Sequence, residues 1–114
     1  MPHVILFKDG WFQGDHKHVF TQLNNLNQSG VGFNDITSSF VILDGDWQFF
    51  KDAFYKTPFP LGSKTAAVFG PGEYGTMDAL GAGSNDAISS LRPVQSVNGQ
   101  WEPLPSPAEP SAIG

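Results

Sequence analysis

Asn34-Asp35-Ile36-Thr37-Ser38-Ser39 returns 51 residues later as Asn85-Asp86-Ala87-Ile88-Ser89-Ser90. One such N-D-x-x-S-S stretch reads as an ordinary Asx and Ser turn between strands. Two copies, each preceded by a Gly-rich segment and followed by a short apolar run, read as an internal repeat. A second shared element lies upstream of each copy. Phe7, Phe12 and Gly14 are spaced aromatic-x4-aromatic-x-Gly, and Phe50, Tyr55 and Thr57 repeat the spacing with Thr for Gly. The second half is longer by a few residues, which fall around the Pro/Gly loop at Pro58 to Ser63.

Around these anchors the pattern is strand-turn-strand. Strands are expected at Val4 to Lys8, His18 to Thr21, Phe40 to Leu43, Trp47 to Phe50, Ala66 to Phe69 and Ile88 to Val94. Asp9-Gly10 and Pro71-Gly72 are turn signals. Gln22 to Gln28 has room for one helical turn. Two equivalent halves of about four strands each predict an all-β double Greek-key sandwich of two roughly four-stranded sheets. The domain is expected over residues 1–97, with the first key at about 3–44 and the second at about 45–97. Residues 98–114 form a hairpin extension and a Pro-rich tail, with Asn98-Gly99 as a two-residue turn that sets Ser96 opposite Trp101. Thr57 cannot take a positive φ cheaply, so the second aromatic hairpin is expected to differ in shape from the first.

Composition narrows the function. The 114 residues make one domain, long enough for a core without staples. Six Lys and Arg against eleven Asp and Glu leave a formal charge of −5, which disfavours nucleic acid and membrane surfaces as partners. With no Cys, disulfide and thiolate chemistry are out. No export signal or membrane span is read in the chain, so an intracellular monomer is expected, although a mature secreted form would look the same.

The chemistry sits in the repeated hexapeptide. Asp carboxylate, Ser hydroxyl and main-chain carbonyl in one turn offer several hard oxygens around one point, the donor set of Ca²⁺. At this level the pair of motifs, each downstream of its aromatic hairpin, resembles the two Greek-key motifs of a microbial calcium-binding βγ-crystallin domain. Gly72-Glu73-Tyr74 adds to the likeness, which spans roughly residues 3 to 94.

The resemblance implies two calcium sites at one end of the molecule. Ser38 and Ser89 would each supply a hydroxyl oxygen, and Ile36 and Ala87 a main-chain carbonyl. Asp35 and Asp86 would each reach into the site built mainly by the other motif, tying the two keys together. Carbonyls just after the first hairpin aromatics, at Lys8 and Lys51, would complete the set. Acidic residues are common at those two positions, so the lysines are a departure. Phe7, Phe12, Gly14, Phe50 and Tyr55 would shape the hairpins, while Asn34 and Asn85 would brace the turns.

His16 and His18 alternate on one strand face and could bind a transition metal, but no third ligand is evident, so they are read as surface histidines. No nucleophile with a base can be assembled, so a non-catalytic role is expected. Three functions remain open: a calcium-stabilised structural, storage or stress protein; a relative with degenerate sites; and a secreted inhibitor or toxin of the same fold.

Overall fold

The computed structural model describes residues 1–27, 32–60, 62, 64–80 and 87–104. Eight strands build it: β1 (His3–Asp9), β2 (Gln13–Val19), β3 (Ser39–Asp44), β4 (Asp46–Asp52), β5 (Lys56–Pro58), β6 (Gly72–Tyr74), β7 (Ser90–Val97) and β8 (Gln100–Pro103). They form two antiparallel four-stranded sheets, in the orders β2-β1-β3-β6 and β5-β4-β7-β8. A short 3-10 turn at Met77–Leu80 is the one helical element among the described residues. No described helix is long and apolar enough to cross a membrane.

Alternation decides which face each strand buries. Val4 and Leu6 in β1, and Phe40 and Ile42 in β3, are fully or almost fully buried, while Ile5 and Val41 between them stay partly exposed. Trp47 and Phe49 of β4 and Leu91 of β7 meet them from the second sheet, with Leu26, Phe59, Leu80 and Ile88 closing the core. Phe40 stands at its centre, 4.7 Å from the Phe49 ring and stacked on Tyr74 at 4.6 Å. Each such aromatic pair adds about 0.5–1.5 kcal/mol beyond area burial.

The two halves exchange strands. β6 comes from the second half but pairs with β3 of the first, Val41 facing Glu73. In return Leu23 of the first half bridges Leu91 of β7, with Leu23 N–H to Leu91 carbonyl at 3.0 Å and the reverse bond at 3.1 Å. Neither half can therefore bury its apolar face alone, and the sheets fold as one unit. β8 completes the second sheet through a turn in which Asn98 and Gly99 have φ of 51° and 80°, and Ser96 pairs with Trp101. Both positive φ values match the strand twist, which is why Asn-Gly is favoured there.

Several local expectations change. Ala66 to Phe69 forms no strand; Phe69 alone bridges Trp47, and Gly72–Tyr74 is the strand that crosses over. The second strand starts earlier than expected, at Gln13, and ends at Val19. Leu23, placed in a possible helical turn, is a β-bridge residue instead.

The largest correction concerns the hairpins. The second does not differ in shape: Trp11, Phe12 and Gly14 have φ of 57°, 65° and 80°, and Phe54, Tyr55 and Thr57 have 61°, 60° and 54°. Thr57 takes the left-handed conformation, and its hydroxyl donates to the Asp52 carboxylate, a bond that offsets part of the cost. In the first hairpin a β-carbon on Gly14 would lie 2.5 Å from the equivalent Asp9 carboxylate oxygen. Threonine thus converts a steric conflict into a hydrogen bond.

Candidate metal centre

Left-handed backbone at Trp, Phe and Tyr costs on the order of 1–2 kcal/mol per residue, so something must hold each hairpin folded. The last serine of each hexapeptide does. Ser39 accepts the Phe12 N–H at 2.9 Å and donates to the Asp9 carbonyl at 2.6 Å. Ser90 accepts the Tyr55 N–H at 3.1 Å and donates to the Asp52 carbonyl at 2.7 Å. Both serines are fully buried. Edge-to-face ring pairs finish the hairpins, Phe7–Phe12 at 5.8 Å and Phe50–Tyr55 at 5.5 Å. Over the second pair lies the Arg92 guanidinium, 5.1 Å from each ring centroid. Burial raises the Tyr55 phenol above its ordinary pKa, partly countered by that guanidinium. The sequence reading assigned Ser39 and Ser90 no role, although their recurrence was visible.

The clasp brings each hexapeptide against the hairpin of its own half. Ser38 N–H donates to the Phe7 carbonyl at 2.9 Å, and Ser89 N–H donates to the Phe50 carbonyl at 2.9 Å. Ser38 therefore sits next to the Lys8 peptide and Ser89 next to that of Lys51. Both lysine side chains are exposed. Ammonium groups in water repel a nearby cation weakly, and the main-chain carbonyl of a lysine keeps its oxygen donor whatever its side chain.

Across the molecular halves, the Ser89 hydroxyl donates to Asp35 Oδ1 at 3.0 Å, spanning 54 residues. Asp35 is anchored by its own N–H on the Ile88 carbonyl at 3.1 Å and has a φ of 55°. A left-handed aspartate is tolerated but strained, and such outliers concentrate at functional sites. Asp35, Ala87, Ser89 and the hairpin at Lys51 thus form one locale, with Ala87 and Ser89 buried and the carboxylate exposed. Carboxylate, hydroxyl and carbonyl oxygens of this kind are the donors a hard cation takes.

In the other half, Lys8 and Ile36 line an open cleft of about 510 Å³ together with Asp15, Lys17 and Phe33. Asp15 brings an exposed carboxylate that the sequence reading did not assign. Asn34 is half-buried in the turn beside Asp35. Asn85 and Asp86 lie outside the described residues. Among the described residues no three His, Cys, Asp or Glu side chains converge, so an ion here would draw, beyond a single carboxylate, on neutral oxygens and solvent.

The sequence model of the Beta/Gamma crystallin family matches residues 3–94. A beta/gamma-crystallin of Ciona intestinalis is 33% identical over 92 residues, covering 81% of this chain and 98% of that protein. The solved beta gamma crystallin from Ciona intestinalis superposes with a TM-score of 0.64 at 32% identity, over 80% of this chain and 98% of that one. A transition-metal-ion-binding betagamma-crystallin from Methanosaeta thermophila superposes with a TM-score of 0.64 at 27% identity, over 80% and 99% of the two chains.

Proposed function

Because this chain belongs to the beta/gamma-crystallin family, we propose that it is a non-catalytic calcium-binding domain with a structural, storage or stress-related role, its fold stabilised by two calcium ions. The observation that carries the reading is the Asp35 carboxylate on the Ser89 hydroxyl, 3.0 Å apart and drawn from opposite halves. An ion held there takes a carboxylate oxygen from one Greek key and a hydroxyl and carbonyls from the other. The donor set, hard oxygens of low total charge, fits calcium and not a soft or borderline metal. By the internal repeat, Ser38, the Ile36 carbonyl and the Lys8 carbonyl form the counterpart, and its carboxylate is assigned to Asp86 by the sequence repeat alone.

That family members use metal ions is supported by the Methanosaeta thermophila relative. With about one carboxylate per site, affinities fall on the order of 10⁻⁶ to 10⁻³ M, since ligand charge sets the strength of calcium sites. Calorimetric titration of chelator-treated protein with Ca²⁺ tests the proposal. Saturable heat from two sites in that range is expected. Absence of heat up to millimolar calcium would remove the calcium role and leave the fold as a purely structural scaffold.

A further inference from the structure

The geometry points to a second, chemically distinct site: His3 and His18, on the outer face of the first sheet, chelate a late divalent transition-metal ion, Cu²⁺ before Ni²⁺. Register builds the pair. Val4 faces Val19 and Ile5 faces His18 in the β1–β2 ladder, so His3 and His18 project from the same face as diagonal neighbours. His3 Nε2 and His18 Nδ1 are 2.8 Å apart, and the ring centroids are 5.1 Å apart. Phe20 packs 4.4 Å from the His3 ring and stacks parallel to the His18 ring at 6.3 Å, so both imidazoles are held from one side. Two strands, and not one, supply the ligands.

The separation bears on the coordination geometry the pair can reach, and the general affinity order of imidazole sites puts Cu²⁺ before Ni²⁺. Two nitrogens each about 2.0–2.1 Å from an ion stand about 2.9 Å apart when they subtend a right angle, and about 3.3 Å apart at the tetrahedral angle. At 2.8 Å, with a proton between them, the two nitrogens face each other, so both rings must turn before their lone pairs converge on an ion. The spread required is smaller for the right-angle corners of Cu²⁺ and Ni²⁺ than for a tetrahedron. Tetrahedral Zn²⁺ requires the larger spread. In the metal-free pair one ring donates its N–H to the other. Shifting that proton to the donor ring's opposite nitrogen frees both lone pairs, so a neutral pair binds without net proton release. No third His, Cys, Asp or Glu completes the cluster among the described residues, so solvent fills the remaining positions. His16 stands beside the pair, its ring centroid 5.2 Å from that of His18 and edge-on to it, and is not a ligand.

The test is a titration with Cu²⁺ buffered by glycine, in millimolar Ca²⁺ to fill oxygen sites, read by calorimetry and by electron paramagnetic resonance. One copper per chain with hyperfine coupling to two nitrogens is expected. His3→Gln and His18→Gln should each weaken binding by roughly tenfold or more, the loss of one chelate arm. His16→Gln should change it by less than about twofold. Metal-free melting of each variant verifies the fold, and His18→Gln serves if His3→Gln fails to fold. Retained affinity in either His3 or His18 variant, an equal loss in His16→Gln, or a spectrum without two nitrogen donors would overturn the assignment.

Discussion

Ser39→Ala removes one oxygen atom, and the structure indicates how much that atom does. Its hydroxyl accepts the Phe12 N–H at 2.9 Å and donates to the Asp9 carbonyl at 2.6 Å. Each bond contributes about 1 kcal/mol net, and stranding a buried partner adds to the loss. Phe12 is only half-buried and Asp9 is exposed, so water recovers part of that addition. The sum is about 2–3 kcal/mol. Unfolding entropy of about 2.1 cal/mol/K per residue over this chain makes 1 kcal/mol worth about 4 °C. Ser39→Ala should therefore lower the melting temperature by about 8–12 °C in calcium-free buffer, and Ser90→Ala by a similar amount. Ser96→Ala, at an exposed β7 position, serves as the control and should change little. Circular dichroism melting of the three variants decides the matter. A drop below about 3 °C for Ser39→Ala would show that the hairpin holds its left-handed backbone without the clasp.

Thr37 is fully buried and its hydroxyl has no hydrogen-bond partner among the described residues, while the equivalent position in the second hexapeptide is the aliphatic Ile88. Thr37→Val should stabilise the fold by about 1 kcal/mol, seen as a higher denaturation midpoint in urea, because it removes an unpaired buried hydroxyl at constant shape. Gly14→Ala should cost about 1–2 kcal/mol in the same assay, since φ is 80° and the new β-carbon meets the Asp9 carboxylate. A neutral result there would mean that the hairpin relaxes out of its left-handed turn.

Repetition made the architecture legible before any coordinates. The hexapeptides and aromatic hairpins marked two equivalent halves, and Asn98-Gly99 marked the turn that pairs Ser96 with Trp101. What sequence concealed were features that depend on distant partners. Gly72–Tyr74 is short and carries little strand propensity of its own; pairing with β3 makes it a strand. Thr57 looked unable to copy Gly14, since its compensation, the Asp52 carboxylate five residues earlier, comes within reach only once the hairpin has folded. Ser39 and Ser90 repeat as plainly as Ser38 and Ser89. Their role as clasps depends on where the hairpin backbone folds, which no spacing records. His3 carries no pattern of its own in the sequence, because its partner His18 lies across a ladder.

The measurement that bears most directly on the calcium reading is thermal melting of wild type and Asp35→Ala, each in chelator and in excess calcium. An ion that binds only the folded chain stabilises it by about 2.7 kcal/mol per site at a hundredfold excess over its Kd. At about 4 °C per kcal/mol that is roughly 11 °C for each site. Asp35 joins the two halves through Ser89. Wild type should show a large calcium-dependent rise, and Asp35→Ala should lose about half of that rise, beyond a drop of about 4 °C in chelator from the lost Ser89 bond. Equal calcium-induced shifts in the two proteins would contradict the account and leave Asp35 as a turn residue only.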